Sequence, residues 1–277
     1  MITQVYQGHL RKMTISHDDN GAQYQIRLDD QSIPLNEKIG HSIRIESLGE
    51  IHCIECGRKA SKSFSQGYCY PCFSRLPQCD VCIMSPEKCH YDKGTCRDAA
   101  WGDEFCMQDH IVYLANSSGI KVGITRHSQI PTRWLDQGAM QAMPIARVST
   151  RQLSGLLEVI FKQHVSDKTN WRTLLKQDAL NLDLPAKRDE LFEICHEEIE
   201  ELQGHYGLQA VQLVYDANVT EFKFPVIEYP TKIVSFNLDK NPIAQGILKG
   251  IKGQYLILDT GVINLRKYTS YNVSIEC

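Results

Sequence analysis

Apolar positions alternate near both ends of the chain and fall on a helical period in its middle. Tyr24, Ile26 and Leu28 occupy every second position, Asp29-Asp30 marks a turn, and Ile43, Ile45 and Leu48 follow Gly40. A period of two predicts strands with one buried face, so residues 1–52 read as a β-rich region. Ile111-Val112-Tyr113-Leu114 and Ile120-Lys121-Val122-Gly123-Ile124 are two more strand-like runs, and Asn116-Ser117-Ser118-Gly119 between them predicts a hairpin turn. Leu153, Leu156, Leu157, Ile160 and Phe161 then stand on one face of an amphipathic helix over 151–165. A second helix is predicted from Pro185, after Asp183, to about Leu202, with Leu191, Cys195, Ile199 and Leu202 inward. Cys195 therefore reads as a small core hydrophobe rather than a nucleophile. Towards the C-terminus, Tyr255-Leu256-Ile257-Leu258 and Val262-Ile263-Asn264-Leu265 flank an Asp259-Thr260-Gly261 turn. The two β-rich ends are compatible with one β-domain interrupted by the central modules.

Residues 53–110 break the pattern, with few apolar positions and nine of the eleven cysteines. The first four, Cys53, Cys56, Cys69 and Cys72, read C-x2-C-x12-C-x2-C, and Gly57 and Gly67 supply turn chemistry beside the two pairs. Two such knuckles predict a tetrahedral zinc site, and metal must then supply much of the order of this region. Cys79, Cys82, Cys89, Cys96 and Cys106 follow, with His90 beside Cys89 and His110 four residues after Cys106. Any four of these five cysteines and His110 would serve a second zinc, with Cys79 and Cys82 favoured as a further knuckle; an iron–sulfur cluster is the alternative. No charged-then-apolar leader opens the chain, so reduced, metal-binding thiols in the cytoplasm are expected.

The fold class expected is α+β and multi-domain: β-rich 1–52, the cysteine-rich zinc-binding 53–110, a small α/β module over 111–180, and a helix followed by β structure over 181–277. No apolar run is long enough to span a bilayer, so no membrane partner is expected. Net charge is −3 over 277 residues, yet residues 111–178 carry nine Lys/Arg against the acids 136, 158, 167 and 178. A basic module within an acidic chain suits a polyanion such as nucleic acid.

Within that module, Ile111-Val112-Tyr113, then Lys121-Val122-Gly123, Arg133, Glu158 and Asn170 follow one another in an order that resembles the GIY-YIG nuclease superfamily. The resemblance covers about a quarter of the chain. It implies a small antiparallel sheet packed by helices and a site built from Tyr113, Lys121, Arg133, Glu158 and Asn170. Glu158 would hold a Mg²⁺, Arg133 would clamp the scissile phosphate, and Tyr113 would help activate water, which needs a phenol pKa well below ~10. Lys121 stands where the second Tyr of the motif is usual. Lys121, Arg126, Arg133 and Arg172 are the residues expected to meet nucleic acid.

The rest of the chain resembles a bacterial family known as domain of unknown function 2797, through Cys69-Tyr70-Pro71-Cys72, Gly94-Thr95-Cys96-Arg97 and Val112-Tyr113-Leu114-Ala115-Asn116-Ser117-Ser118-Gly119. The reading is a cytoplasmic zinc protein that binds nucleic acid, DNA or RNA, and cleaves phosphodiesters with Mg²⁺ if its chemistry is intact. The alternatives are an inactive adaptor whose zinc region docks a protein, or a metal or redox sensor.

Overall fold

The computed structural model describes residues 4–166 and 168–277, so Asp167, one of the acids counted above, lies outside them. The chain opens with β1 (Val5–Asp18), β2 (Gly21–Leu28), β3 (Gln31–Pro34), β4 (Ser42–His52) and β5 (Lys59–Ala60). Short helices α1 (Tyr70–Arg75), α2 (Val81–Met84) and α3 (Ala99–Phe105) carry the cysteine-rich region. Then come β6 (His110–Asn116), β7 (Ile120–Arg126), α4 (Thr132–Asp136), β8 (Gln141–Val148), α5 (Arg151–Phe161) and α6 (Trp171–Leu174). Helices α7 (Leu184–Ile194) and α8 (His196–Tyr206) precede β9 (Val211–Leu213), β10 (Thr220–Glu221), β11 (Ile243–Lys252), β12 (Tyr255–Leu258), β13 (Gly261–Asn264) and β14 (Tyr271–Glu276).

Both ends of the chain build one sheet. Strand β14 lies between β1 and β4, antiparallel to each, and β4 also pairs β11. The order is β13-β12-β11-β4-β14-β1-β2-β3, with β5 added on β4. Along β2 the predicted alternation is present: Tyr24, Ile26 and Leu28 are buried and Gln25 and Arg27 exposed. Leu48 departs from it and is 39% exposed. The β4–β14 pairing shifts register between Tyr271 and Val273, and Gly49 takes φ 77°, so a bulge carries Leu48 off the buried face.

A second sheet has the order β10-β8-β6-β7, with β9 also on β8. Every residue of β6 is buried, because the sheet is covered on both faces. Ile111, Tyr113 and Ala115 join Trp134 and Leu135 in the core of the large sheet. Val112 and Leu114 point the other way, into a cluster with Leu153, Leu157 and Phe161 of α5, Leu191 and Phe192 of α7, and Ile199 of α8. Helix α5 begins where Thr150 accepts the Leu153 N–H (3.2 Å), a side-chain N-cap, and it ends at Phe161 rather than 165. The single helix predicted over 185–202 is two, separated at Cys195 (φ −100°, ψ 18°), which is fully buried as a core residue. Residues 184–213 thus share an apolar core with 112–161. Among the described residues no helix is long and apolar enough to cross a membrane.

Candidate functional site

Four thiols converge where β4 leaves the large sheet. The sulfurs of Cys53, Cys56, Cys69 and Cys72 all lie within 4.8 Å of one another, with Cys56 Sγ and Cys69 Sγ 3.7 Å apart. The first knuckle closes through Gly57 N–H donating to Cys53 O (3.0 Å). At the second, a Cβ on Gly67 would stand 2.8 Å from the Ile54 side chain, so glycine lets the two knuckles close on each other. Cys72 lies in α1 and Cys69 just before it. Burial works to raise the Cys53 thiol pKa, but the backbone N–H groups of Cys56, Cys69 and Glu55 outweigh it and bring it down to about 6. Burial, followed by its thiol neighbours, pushes Cys72 up to about 12. Crowded thiols cannot all ionise without a cation among them, and a soft divalent metal supplies that cation. This cluster can hold a metal, as the spacing predicts.

The second cysteine group divides. Cys82, Cys89, Cys96 and Cys106 line one small cavity, which Cys79 does not join. Cys79 is buried in the turn at Pro77–Cys79, with Arg97, Cys53 and Glu55 as its charged neighbours. The expected Cys79–Cys82 knuckle is therefore split. His110 starts β6 and does not line the cavity; its Nδ1 lies 2.8 Å from Gln108 O. Burial depresses its pKa to about 4, so the ring is neutral. Asp80 and His90 form with Cys82, which they share with that cavity, a group of donor atoms within 4.8 Å of one another that can also hold a metal.

A cleft of about 370 Å³ opens along edge strand β7. Lys121, Arg126 and Gly123 of β7, Arg133 of α4, and Arg151 and Glu158 of α5 line it, joined by Lys12 of β1 and Arg266 of the turn after β13. Six cations face two carboxylates there. One carboxylate, Asp136, is paired with Lys12 and accepts from Gln254 Nε2 (3.0 Å), an arrangement that ties α4 to the large sheet. Tyr113 reaches the same place from beneath, its hydroxyl donating to Gln137 Oε1 (3.1 Å). Burial raises the phenol pKa, Arg133 and Gln137 offset part of that, and the Glu158 charge adds to it. This is the opposite of the depression that proton transfer to and from Tyr113 requires.

The remaining expected site residues lie at the margin. Lys121 lines the cleft but is only 5% exposed, and its Nζ donates to Thr169 Oγ1 (2.7 Å). Asn170 does not line the cleft; its side chain accepts from the N–H groups of Arg172 and Thr173 and caps α6. Arg172 stacks on Trp171 outside the cleft. Lys12, Arg151 and Arg266 were not legible as site residues. Lys12 and Arg266 reach the cleft only because β1 and the segment after β13 meet in the fold, while Arg151 looks locally like any residue of a first helical turn.

Fold and sites together define a mixed α+β protein in which a cysteine-rich region with thiols placed to hold a metal flanks a basic cleft. The chain belongs to the family described as protein of unknown function (DUF2797), whose model matches residues 40–273. No curated protein and no solved structure matches it.

Proposed function

We propose that this chain is a zinc protein whose GIY-YIG-like central module binds nucleic acid in the β7–α4–α5 cleft, with Mg²⁺-dependent phosphodiester cleavage as the chemistry open to Glu158. One observation carries the reading: Arg133 and Glu158, from two different helices, line one cation-rich cleft, and the buried Tyr113 hydroxyl lies within electrostatic reach of both. The antiparallel β7-β6-β8 sheet backed by α5 supports it, since the resemblance implies a small antiparallel sheet packed by helices. Zinc suits the first centre because four thiolates in tetrahedral reach are its usual structural shell.

In this reading Arg133 grips a phosphate through its planar fork, and Lys12, Arg126, Arg151 and Arg266 hold the flanking backbone. Glu158, the position that the resemblance assigns to the metal, lines the cleft and would hold Mg²⁺, an ion that takes few protein oxygens. Bound there, the ion would supply charge stabilisation at the phosphate and acidify water. Tyr113, neutral and fixed by Gln137, orients rather than accepts a proton.

A second reading, binding without cleavage, is favoured by that same buried phenol and by Lys121, whose ammonium is turned to Thr169. Incubation of purified protein with mixed DNA and RNA, with and without Mg²⁺, separates the two. Cleavage that Glu158→Gln abolishes while binding and zinc content persist supports the nuclease. Binding with no cleavage under any divalent metal supports the adaptor, and neither binding nor cleavage overturns both.

A further inference from the structure

Residues 77–109 are folded without a core. None of them belongs to any of the four apolar clusters among the described residues, and Val81 and Met84 are exposed. The segment nevertheless forms α2, α3 and two short 3-10 turns. So little buried apolar surface does not offset the entropy of ordering a chain of that length, and small domains of this kind are usually held by a cross-link or a metal. At its centre, Cys82, Cys89, Cys96 and Cys106 line a cavity of about 20 Å³ together with Asp80 and Arg97, their sulfurs less tightly gathered than those of the first centre. That is room for a single ion or one water rather than an organic ligand.

We infer that Cys82, Cys89, Cys96 and Cys106 hold a second zinc ion, distinct from the one at Cys53, Cys56, Cys69 and Cys72. Four thiolates around a single-ion space are the donor set and number that zinc takes in closed structural sites. The competing group is Asp80, Cys82 and His90. There the Asp80 carboxylate is already held by Arg97 Nε at 2.7 Å, with His90 Nε2 at 3.5 Å. Arg97 also donates to the carbonyls of Phe73 and Leu76, both 3.1 Å away. A carboxylate neutralised by a guanidinium is a weak ligand, and this network instead clamps the second centre onto the first.

The second centre also stands behind the cleft. Ile83, Met84 and Pro86 form part of the cleft wall. Arg151 Nη2 donates to Ile83 O (2.6 Å), Arg151 N–H to Cys106 O (2.8 Å) and Gln152 Nε2 to Cys89 O (3.4 Å). A Cβ on Gly155 would stand 2.6 Å from Glu87 N and Pro86 Cβ, so the wall lies directly on α5. The inference does not depend on what the cleft binds.

Elemental analysis of freshly purified, reduced protein tests it, together with cobalt substitution to read the ligand set. Wild-type protein should carry two equivalents of zinc, and both cobalt-loaded sites should show intense thiolate-to-metal charge transfer. Cys89→Ser and Cys96→Ser should each leave one equivalent, whereas Cys79→Ser and His90→Ala should keep two. Cys56→Ser should leave one as well, that of the second centre, because the first centre loses its ion. Wild-type protein with a single equivalent would overturn the inference even if the serine variants precipitate. Loss of the second equivalent in His90→Ala with retention in Cys96→Ser would assign the ion to the competing group, and iron with inorganic sulfide would replace zinc by a cluster.

Discussion

Gly123 faces Tyr113 across the β6–β7 ladder, and a Cβ on that glycine would stand 2.7 Å from the Tyr113 hydroxyl and Cζ. The ring is fully buried among residues of two layers and has no room to retreat. Gly123→Ala should therefore displace Tyr113 from Gln137 and cost about 1–3 kcal/mol of stability. Denaturant unfolding reads this directly; a variant as stable as wild type would mean that the strand yields instead of the ring.

Cys56 is the exposed thiol of the first cluster, so its substitution tests the proposed metal site with little loss of packing. Cys56→Ser should lose one zinc and on the order of several kcal/mol, because structural zinc contributes folding free energy directly. Elemental analysis with thermal unfolding checks it, and an unchanged melting temperature would make the cluster dispensable.

Cleft cations and surface cations should separate in binding. With about four phosphates neutralised, a fourfold rise in salt lowers affinity roughly a hundredfold through counterion release. Arg126→Glu and Lys12→Glu should each weaken binding about tenfold further, since both residues line the cleft. Arg172→Glu should change little, because that side chain stacks on Trp171 elsewhere. Filter binding across a salt series gives all four numbers.

Burial holds the His110 pKa down at about 4 from an ordinary value near 6.5. Between those values the unfolded chain binds a proton that the folded chain does not. The stability that His110 contributes as a neutral ring is therefore complete above about pH 6.5 and is lost as pH falls towards 4, on the order of 3 kcal/mol in all. His110→Gln should flatten this part of the pH–stability curve, as urea unfolding at stepped pH would show.

Local chemistry was legible in the sequence, and long-range assembly was not. Alternation at Tyr24, Ile26 and Leu28, the turn at Asn116–Gly119 and the knuckles from Cys53 to Cys72 each depend on neighbours a few positions away. The bulge that exposes Leu48 depends on how β14 pairs with β4, which no window around Leu48 contains. Cys79 and Cys82 are similar: a three-residue spacing is compatible with a shared ion, but only Cys82 lines the cavity with Cys89, Cys96 and Cys106. Charge counting found the basic surplus of 111–178 yet missed Lys12 and Arg266, which enter the cleft from β1 and the turn after β13.

Strand β4 ends at His52 and its partner β11 begins at Ile243, about 190 residues later. At a synthesis rate of about 5–20 residues per second, the first strands wait roughly 10–40 seconds on the ribosome before the segments that flank them emerge. During that interval β1 and β4 expose open edges, while the cysteine pairs of 53–72 and the β6–β7 hairpin already have their local partners. The large sheet, and with it the cover over one face of β6, can be completed only after β11 and β14 emerge.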